Sequence, residues 1–129
     1  MYGTRFLTIS FFLKTSELGK SNELGILFYS INTDLTKKAF DAFLLSNAKK
    51  FILLSSVKSI RNESDSIITE DTTETPSTAY GKSKLEADNY ILSQRLPIGK
   101  SVYILRPALV TGPKVKGNIQ RLYNFSNKP

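Results

Sequence analysis

The chain has 129 residues, 40% hydrophobic and 22% charged, which is the size and composition of one ordinary globular domain. It contains neither Cys nor His. This excludes disulfide scaffolds, thiol nucleophiles, zinc sites built on those residues and imidazole bases. We therefore predict no metal site, and any acid–base chemistry falls to Asp, Glu, Lys or Tyr.

The net charge of +7 is unevenly distributed along the chain. Residues 61–90 carry three basic and seven acidic side chains, whereas residues 91–129 carry seven basic and no acidic ones. Such a stretch suits an anionic partner, and equally a solvated face. No recognised nucleic-acid-binding motif accompanies the charge, and no stretch approaches the ~20 apolar residues of a membrane span. We therefore predict neither a nucleic-acid nor a membrane partner.

The N-terminal part of the chain has the weakest pattern. Residues 6–13 suit a buried strand, whereas residues 14–25 show no clear period. Arg5 and the apolar run after it imitate a signal peptide, but no small-residue cleavage site follows, so we predict a cytoplasmic location. We interpret residues 1–28 as an atypical, poorly ordered segment in front of a domain over residues 29–129.

From residue 32 onward the sequence predicts regular elements. Thr33 or Asp34 can cap a helix that ends near Asn47. One apolar face of that helix is predicted from three- and four-residue spacings, with Leu35, Ala39, Phe40, Phe43 and Leu44.

Two short apolar runs follow, with a loop and a helix between them. Residues 51–54 and 102–105 are apolar on both faces, which is typical of buried parallel strands. Residues 57–79 read as a long polar surface loop. Residues 79–95 are predicted to form a second helix whose core-facing side chains are Leu85, Tyr90, Ile91 and Leu92.

This order predicts an α/β fold. Strands that alternate with helices imply right-handed βαβ crossovers and a parallel sheet. In such sheets ligands bind beyond the carboxyl ends of the strands. Ser55, Ser56 and residues 106–112 follow those two ends, so the topology by itself predicts a site there.

Three side chains near that edge could carry acid–base chemistry. Tyr80 and Lys84 are four residues apart, which places them on one face of the predicted helix, although such a pair alone is typical of a solvated face. Ser56 ends a buried strand and can face the same cleft. A phenol with a pKa of ~10 needs a drop of about three units to act as a base near neutrality, and a nearby ammonium favours the phenolate. The three residues therefore form a sensible acid–base set.

Several motifs also share an order and spacing over about two-thirds of the chain: INT at 31–33, KFILLSS at 50–56, TED at 69–71, PSTAYGKSKLEA at 76–87, LRP at 105–107, GP at 112–113 and KGN at 116–118. Together they resemble the extended short-chain dehydrogenase/reductases, the NAD-dependent nucleotide-sugar epimerases and dehydratases, and within them the UDP-glucose 4-epimerase-like members. The resemblance implies a partial Rossmann-type, doubly wound parallel sheet with flanking helices. It also implies NAD as cofactor and a UDP-sugar as substrate, and it admits a homodimer for an intact relative.

The resemblance assigns a role to each member of the acid–base set. Tyr80 is implied to be the proton-transferring phenol. Lys84 is implied to lower the pKa of that phenol and to hydrogen-bond the nicotinamide ribose. Ser56 is implied to contact the reacting sugar hydroxyl, with a simple turn residue at the strand end as the alternative.

Four further positions carry weaker implications. Pro107 and the residues through Val110 are implied to line the nicotinamide side. Asn118 resembles an amide that meets the diphosphate of a nucleotide sugar, and its alternative is a helix cap. Asn32 resembles an Asn beside the catalytic helix that makes a structural hydrogen bond, and a helix cap is equally consistent.

The sequence also departs from the family pattern. None of its seven Gly forms the G-x-G-x-x-G turn that seats a dinucleotide pyrophosphate, and residues 1–28 do not resemble the corresponding region of the family. We therefore interpret the chain as a fragment with the nicotinamide part of the site. We expect it to bind NAD weakly at best on its own. The alternative is a non-catalytic truncated remnant that binds no cofactor.

Overall fold

The computed structural model describes residues 6–9 and 21–108. Its elements in chain order are β1 (Phe6–Ile9), α1 (Ser21–Phe28), a π-helical turn (Tyr29–Asp34), α2 (Leu35–Leu45), β2 (Lys50–Leu54), a 3-10 turn (Val57–Ser59), α3 (Ala79–Ser93) and β3 (Ser101–Leu105). The predicted α/β class and the predicted strands and second helix are confirmed. None of the described helices is long and apolar enough to cross a membrane.

The three described strands form one parallel sheet in the order β1-β2-β3. Phe51 in β2 lies opposite Leu7 of β1 and Val102 of β3. Both crossovers step across the sheet in the same direction, so right-handed connections place their helices on one face. Contacts between α2 and α3 agree with this arrangement. The βαβ core predicted over residues 32–56 and 79–112 is thus confirmed as far as residue 108.

The hydrophobic core lies between the helices and the sheet. Its buried members are Phe40, Phe43, Phe51, Leu53 and Ile91. Residues in β2 alternate between buried and half-buried, because successive side chains of a strand point to opposite faces. The aromatic rings of Phe40 and Phe43 in α2 pack directly on the ring of Phe51 in β2, and this contact holds α2 against the sheet.

Four side chains predicted for the interior are exposed. Tyr103 and Leu105 are 47% and 50% exposed, so the prediction that β3 is buried holds only for its helix-facing side. Leu92 is 65% exposed because it follows the buried Ile91 by one residue, a turn of about 100° around the helix axis. Leu35 is 38% exposed at the start of α2.

The predicted cap at Thr33 or Asp34 is wrong. The chain is helical without interruption from α1 through the π-helical turn into α2, and Asp34 has helical dihedral angles with no side-chain cap bond. Thr33 is buried and donates a 2.8 Å hydrogen bond to the Ser83 carbonyl. Its hydroxyl therefore connects two helices and does not begin one.

The same continuous helix contains the predicted boundary at residue 29, which falls between α1 and the π-helical turn. The expected poor order of residues 1–28 stays a prediction, since residues 1–5 and 10–20 lie outside the described residues.

The end of α2 is held by a lysine that lies more than fifty residues further along the chain. Lys100 donates hydrogen bonds from its ammonium to the carbonyl oxygens of Phe43, Ser46 and Ala48 at 2.8, 2.6 and 2.8 Å. Carbonyl groups at a helix C-terminus lack partners within the helix, and a cation there also suits the helix dipole. Lys100 thus fixes α2 against the start of β3.

Candidate functional site

The site forms at the carboxyl ends of β2 and β3. The backbone pairing of these strands continues beyond them, with Ser55 N–H donating to the Leu105 carbonyl at 2.7 Å and Val57 N–H donating to the Pro107 carbonyl at 3.2 Å. Ser56 begins the 3-10 turn, and its hydroxyl accepts the Lys58 N–H at 3.2 Å. Two predicted site residues, Ser56 and Pro107, therefore lie at one edge of the sheet.

The start of α3 is packed tightly against the 3-10 turn. The Thr78 hydroxyl caps the helix by accepting the Gly81 N–H at 3.1 Å. A Cβ added to Gly81 would overlap the Lys58 carbonyl oxygen and lie 2.9 Å from the Cβ of Pro76. Only a glycine allows this approach, which brings the first turn of α3 to the end of β2.

Asn62 fixes the approach to α3 from within the polar loop. Its side-chain oxygen accepts the backbone N–H and the hydroxyl of Ser77 at 3.0 and 3.1 Å, and its amide donates to the Thr78 hydroxyl at 3.0 Å. The Thr75 N–H donates to the Ile60 carbonyl at 2.7 Å. These bonds hold both ends of the loop together and set where α3 begins.

The predicted convergence of Ser56, Tyr80 and Lys84 is confirmed. The Ser56 hydroxyl lies close enough to the Tyr80 phenol to lower its pKa. Lys84 is 5% exposed, its Nζ lies 6.0 Å from the centroid of the Tyr80 ring, and it donates a 3.2 Å hydrogen bond to the Leu54 carbonyl at the end of β2. All three side chains thus meet beside the last residue of one strand.

The electrostatics of the phenol differ from the expectation. Burial raises the pKa of Tyr80 above its ordinary value, and the hydrogen bond from Ser56 opposes this only in part. Burial also lowers the pKa of Lys84, opposed by the negative charge of Asp88. The expected lowering of the Tyr80 pKa is therefore not present in this structure, because exclusion of water disfavours both the phenolate and the ammonium.

Sequence reasoning missed Asp88, which is fully buried four residues beyond Lys84. One of its carboxylate oxygens accepts hydrogen bonds from the hydroxyls of Ser55 and Ser59 at 2.9 and 3.2 Å and from Nε of Arg106 at 2.8 Å. Burial raises the pKa of the Asp88 carboxyl, and the bonds from Ser55, Arg106 and Ser59 together with the Arg106 charge oppose the rise. Its position on the Lys84 face of α3 was the available sequence signal.

Asn32 supports the catalytic helix from the side. It is 3% exposed within the π-helical turn, and its amide donates a 3.1 Å hydrogen bond to the Ser83 hydroxyl, one residue before Lys84. Of the two interpretations left open, the structural hydrogen bond is confirmed and the helix cap is wrong. The proposed positions Val110 and Asn118 lie outside the described residues, so their roles stay predictions.

The residues at this edge suit a polyol. The Lys84 ammonium has three donors, one of which is directed to Leu54, and the Tyr80 phenol lies beside it. Such donors fit the hydroxyl groups of a ribose. Within residues 6–9 and 21–108, no three His, Cys, Asp or Glu side chains lie together as metal ligands would.

Parallel strands joined by helical βαβ crossovers, with polar side chains gathered at their carboxyl edge, define a Rossmann-type α/β protein. The model of the NAD dependent epimerase/dehydratase family matches residues 9–125, and the chain belongs to that family. The match begins at residue 9, so the expectation that residues 1–28 do not resemble the family is wrong for residues 9–28.

Two relatives show how much of the family the chain represents. It is 33% identical over 117 residues to a UDP-glucose 4-epimerase of Vibrio cholerae, covering 84% of this chain and 34% of that protein. Its fold matches a short-chain dehydrogenase/reductase superfamily protein of Agrobacterium tumefaciens, solved with bound NAD, at a TM-score of 0.63 and 22% identity, covering 78% of this chain and 30% of that one. The chain therefore spans about a third of the length of these relatives.

Proposed function

We propose that this chain carries the acid–base and nicotinamide-facing part of an NAD-dependent nucleotide-sugar epimerase or dehydratase of the UDP-glucose 4-epimerase type. The observation that carries the proposal is the placement of Ser56, Tyr80 and the buried Lys84 together at the carboxyl end of β2. Membership of the epimerase/dehydratase family and the likeness to a UDP-glucose 4-epimerase support the reaction class and a UDP-sugar as substrate.

In the proposed reaction Ser56, Tyr80 and Lys84 together remove the proton from a sugar hydroxyl. The Tyr80 phenolate oxygen takes the proton of a sugar hydroxyl, while the Ser56 hydroxyl holds that oxygen in place. When bound, NAD supplies the acceptor for the hydride that leaves the same carbon. Because burial raises the pKa of Tyr80, the phenolate needs a nearby positive charge, and we assign that role to Lys84, whose Nζ lies 6.0 Å from the centroid of the Tyr80 ring.

The residues present fit one end of NAD better than the other. Lys84 and Tyr80 suit the nicotinamide ribose, and Pro107 with Val110 is proposed to line the ring. The diphosphate of the sugar nucleotide is assigned to Asn118. No glycine-rich turn in the sequence would hold the NAD pyrophosphate, so we expect weak binding by this chain alone. The cytoplasmic location and a homodimer in an intact relative stay predictions.

Nuclear magnetic resonance of the full chain tests the cofactor site directly. Nicotinamide mononucleotide and NAD, added to millimolar concentrations, are expected to shift the amide signals of Ser56, Tyr80 and Lys84. Adenosine diphosphate, which lacks the nicotinamide riboside, is expected to leave them in place. The double variant Tyr80→Phe with Lys84→Met removes the response, whereas Lys38→Met on the exposed face of α2 retains it.

If neither nicotinamide compound moves these signals, the proposal is wrong and the non-catalytic remnant is favoured. Interconversion of UDP-glucose and UDP-galactose in the presence of NAD is the second measurement. We expect no turnover by this chain alone, because low occupancy by cofactor leaves no hydride acceptor. Turnover that disappears in Tyr80→Phe would instead show that the chain is an enzyme by itself.

A further inference from the structure

One face of α3 carries three ionisable side chains in a row. Tyr80, Lys84 and Asp88 follow each other at intervals of four residues, so their side chains lie one above another along the helix. Lys84 is 5% exposed and Asp88 is completely buried. A buried charge is stable only when it is paired and hydrogen-bonded, so Asp88 requires hydrogen-bond donors and a positive charge close to it.

The Asp88 carboxylate joins three parts of the fold. Its Oδ2 accepts bonds from Ser55 at the end of β2, from Ser59 in the 3-10 turn and from Arg106 just after β3. Its Oδ1 is buried and has no hydrogen-bond partner among the described residues. One oxygen therefore carries every described bond of the group, and these bonds tie α3 to the strand ends on which the site is built.

The charged groups around the Asp88 carboxylate have a definite order. Arg106 lies at 2.8 Å on one side and reaches Glu74 at 3.5 Å with its other end. Lys84 lies one helical turn before Asp88 on the same face of α3, and the only described hydrogen bond of its ammonium goes to the neutral carbonyl of Leu54. Without the negative charge of Asp88, Lys84 and Arg106 would be two positive groups facing a buried neutral side chain.

We propose that Asp88 is a positioning residue of this site: its carboxylate fixes the ends of β2 and β3 against α3 and supplies the countercharge that keeps Lys84 an ammonium beside Tyr80. The role of the Lys84 ammonium in catalysis rests on the proposed function, whereas the effect of the Asp88 charge on Lys84 does not. The direction in which Asp88 moves the pKa of Lys84 agrees, because it opposes the effect of burial.

The charge and the hydrogen bonds of Asp88 can be separated by substitution. In Asp88→Asn the amide oxygen can take the place of Oδ2 and accept the same three bonds, and the amide nitrogen then occupies the position of the unpartnered Oδ1. This variant removes the charge and retains the links to the strands. A merely structural role would leave the ionisation of Lys84 unchanged in it.

The experiment is a pH titration of the Lys84 side chain by carbon-13 nuclear magnetic resonance of the lysine Cε atoms. The Lys84 signal is identified by its loss in Lys84→Arg. We expect its midpoint to fall by about one pH unit or more in Asp88→Asn, the effect of an opposite charge within a few ångströms. Glu86→Gln is the matched control, since Glu86 lies on the same helix but pairs with Lys37 at the surface. In this variant the titration midpoint of Lys84 is expected to equal that of the wild type.

A second measurement needs no variant. A pH titration of the wild-type chain, followed by the carbon-13 signals of its carboxyl groups, is expected to show that Asp88 is ionised at pH 7. In the same titration, the Lys84 Cε signal is expected to shift at the pH at which Asp88 takes up its proton. An uncharged Asp88 at pH 7, no such coupling, or an unchanged Lys84 midpoint in folded Asp88→Asn overturns the proposal. None of these readouts uses NAD or a sugar, so they fail independently of the proposed function.

Discussion

Phe28 packs edge-on against the ring of Tyr80, with 5.4 Å between the ring centroids and 72° between the ring planes. Phe28 is the last residue of α1, and Tyr80 lies in the first turn of α3. The phenol therefore has Phe28 of α1 against its ring and the Ser56 hydroxyl nearby. This contact orients the group that the proposed reaction requires, and it also removes water from it.

Replacing Phe28 by Ala is expected to lower the pKa of Tyr80 toward its ordinary value of 10.0, because burial is the main cause of the rise. Ultraviolet titration of the phenol measures this, with the Tyr80 signal taken as the difference between each protein and its Tyr80→Phe counterpart. Phe28→Leu, which keeps an apolar side chain over the ring, is expected to change the pKa less. A higher pKa in Phe28→Ala would contradict this account.

Lys84→Met is expected to make the chain more stable at pH 7, because burial disfavours the Lys84 ammonium more than the charge of Asp88 favours it, and an apolar side chain of similar length removes that cost. The pKa of Lys84 is lower in the folded chain than its ordinary 10.5, so the folded state holds this proton less tightly than the unfolded chain does. Wild-type stability therefore rises with pH between the lowered pKa and 10.5.

The advantage of Lys84→Met should accordingly narrow as the pH approaches 10.5. Urea unfolding at a series of pH values measures the difference in free energy of unfolding between Lys84→Met and the wild type. Lys38→Met, on the exposed face of α2, is the control for loss of a surface charge. A wild-type chain more stable than Lys84→Met at pH 7 would show that the charge of Asp88 outweighs the burial of the ammonium.

Gly81→Ala is expected to lower the free energy of unfolding by about 1–3 kcal/mol, because the new methyl group would overlap the Lys58 carbonyl and crowd Pro76. Gly25→Ala is a matched control within a helix. Its methyl group would meet only the Cβ of Ala79 at 3.9 Å, an ordinary contact, and alanine favours the helix by up to about 1 kcal/mol. The midpoint temperature of thermal unfolding should fall in Gly81→Ala and rise in Gly25→Ala.

Lys100→Met is expected to destabilise the fold by about 1–2 kcal/mol, since three carbonyl groups at the end of α2 lose a charged donor. Lys38→Met, on the exposed face of the same helix, is expected to change stability by less than about 0.5 kcal/mol. Amide hydrogen exchange would locate the loss at the last turn of α2. Equal effects of the two substitutions would rule out a specific role for the Lys100 contacts.

The sequence predicted those parts of the fold that depend on local pattern and on general topology. Residues 51–54 and 102–105 are recognisable as parallel strands because short apolar runs alternate with helices. The convergence of Ser56 with Tyr80 was also predictable, because parallel strands end at one edge and a helix places residues four apart on one face. Neither inference required knowledge of a distant contact.

The features that were missed all depend on partners far away in sequence. Thr33 looked like a helix cap because a short polar side chain before an apolar run is typical of one. Its true partner, Ser83, lies fifty residues further along the chain. Asp88 likewise reads as one more charge on a surface helix until Ser55 and Arg106 approach it. Such polar contacts follow from the tertiary fold and produce no repeating pattern in the sequence.

The π-helical turn makes the continuous helix that contains it intolerant of changes in length. Leu35 N–H donates to the Ser30 carbonyl five residues back, one residue more than in an α-helix. Deleting one residue here would restore the ordinary helix and rotate its two halves by about 100° relative to each other, so that Phe28 could no longer face Tyr80 while Asn32 faces Ser83. In descendants of this gene, single-codon insertions and deletions should be purged between residues 28 and 33, whereas substitutions at the exposed Ser30 should accumulate freely.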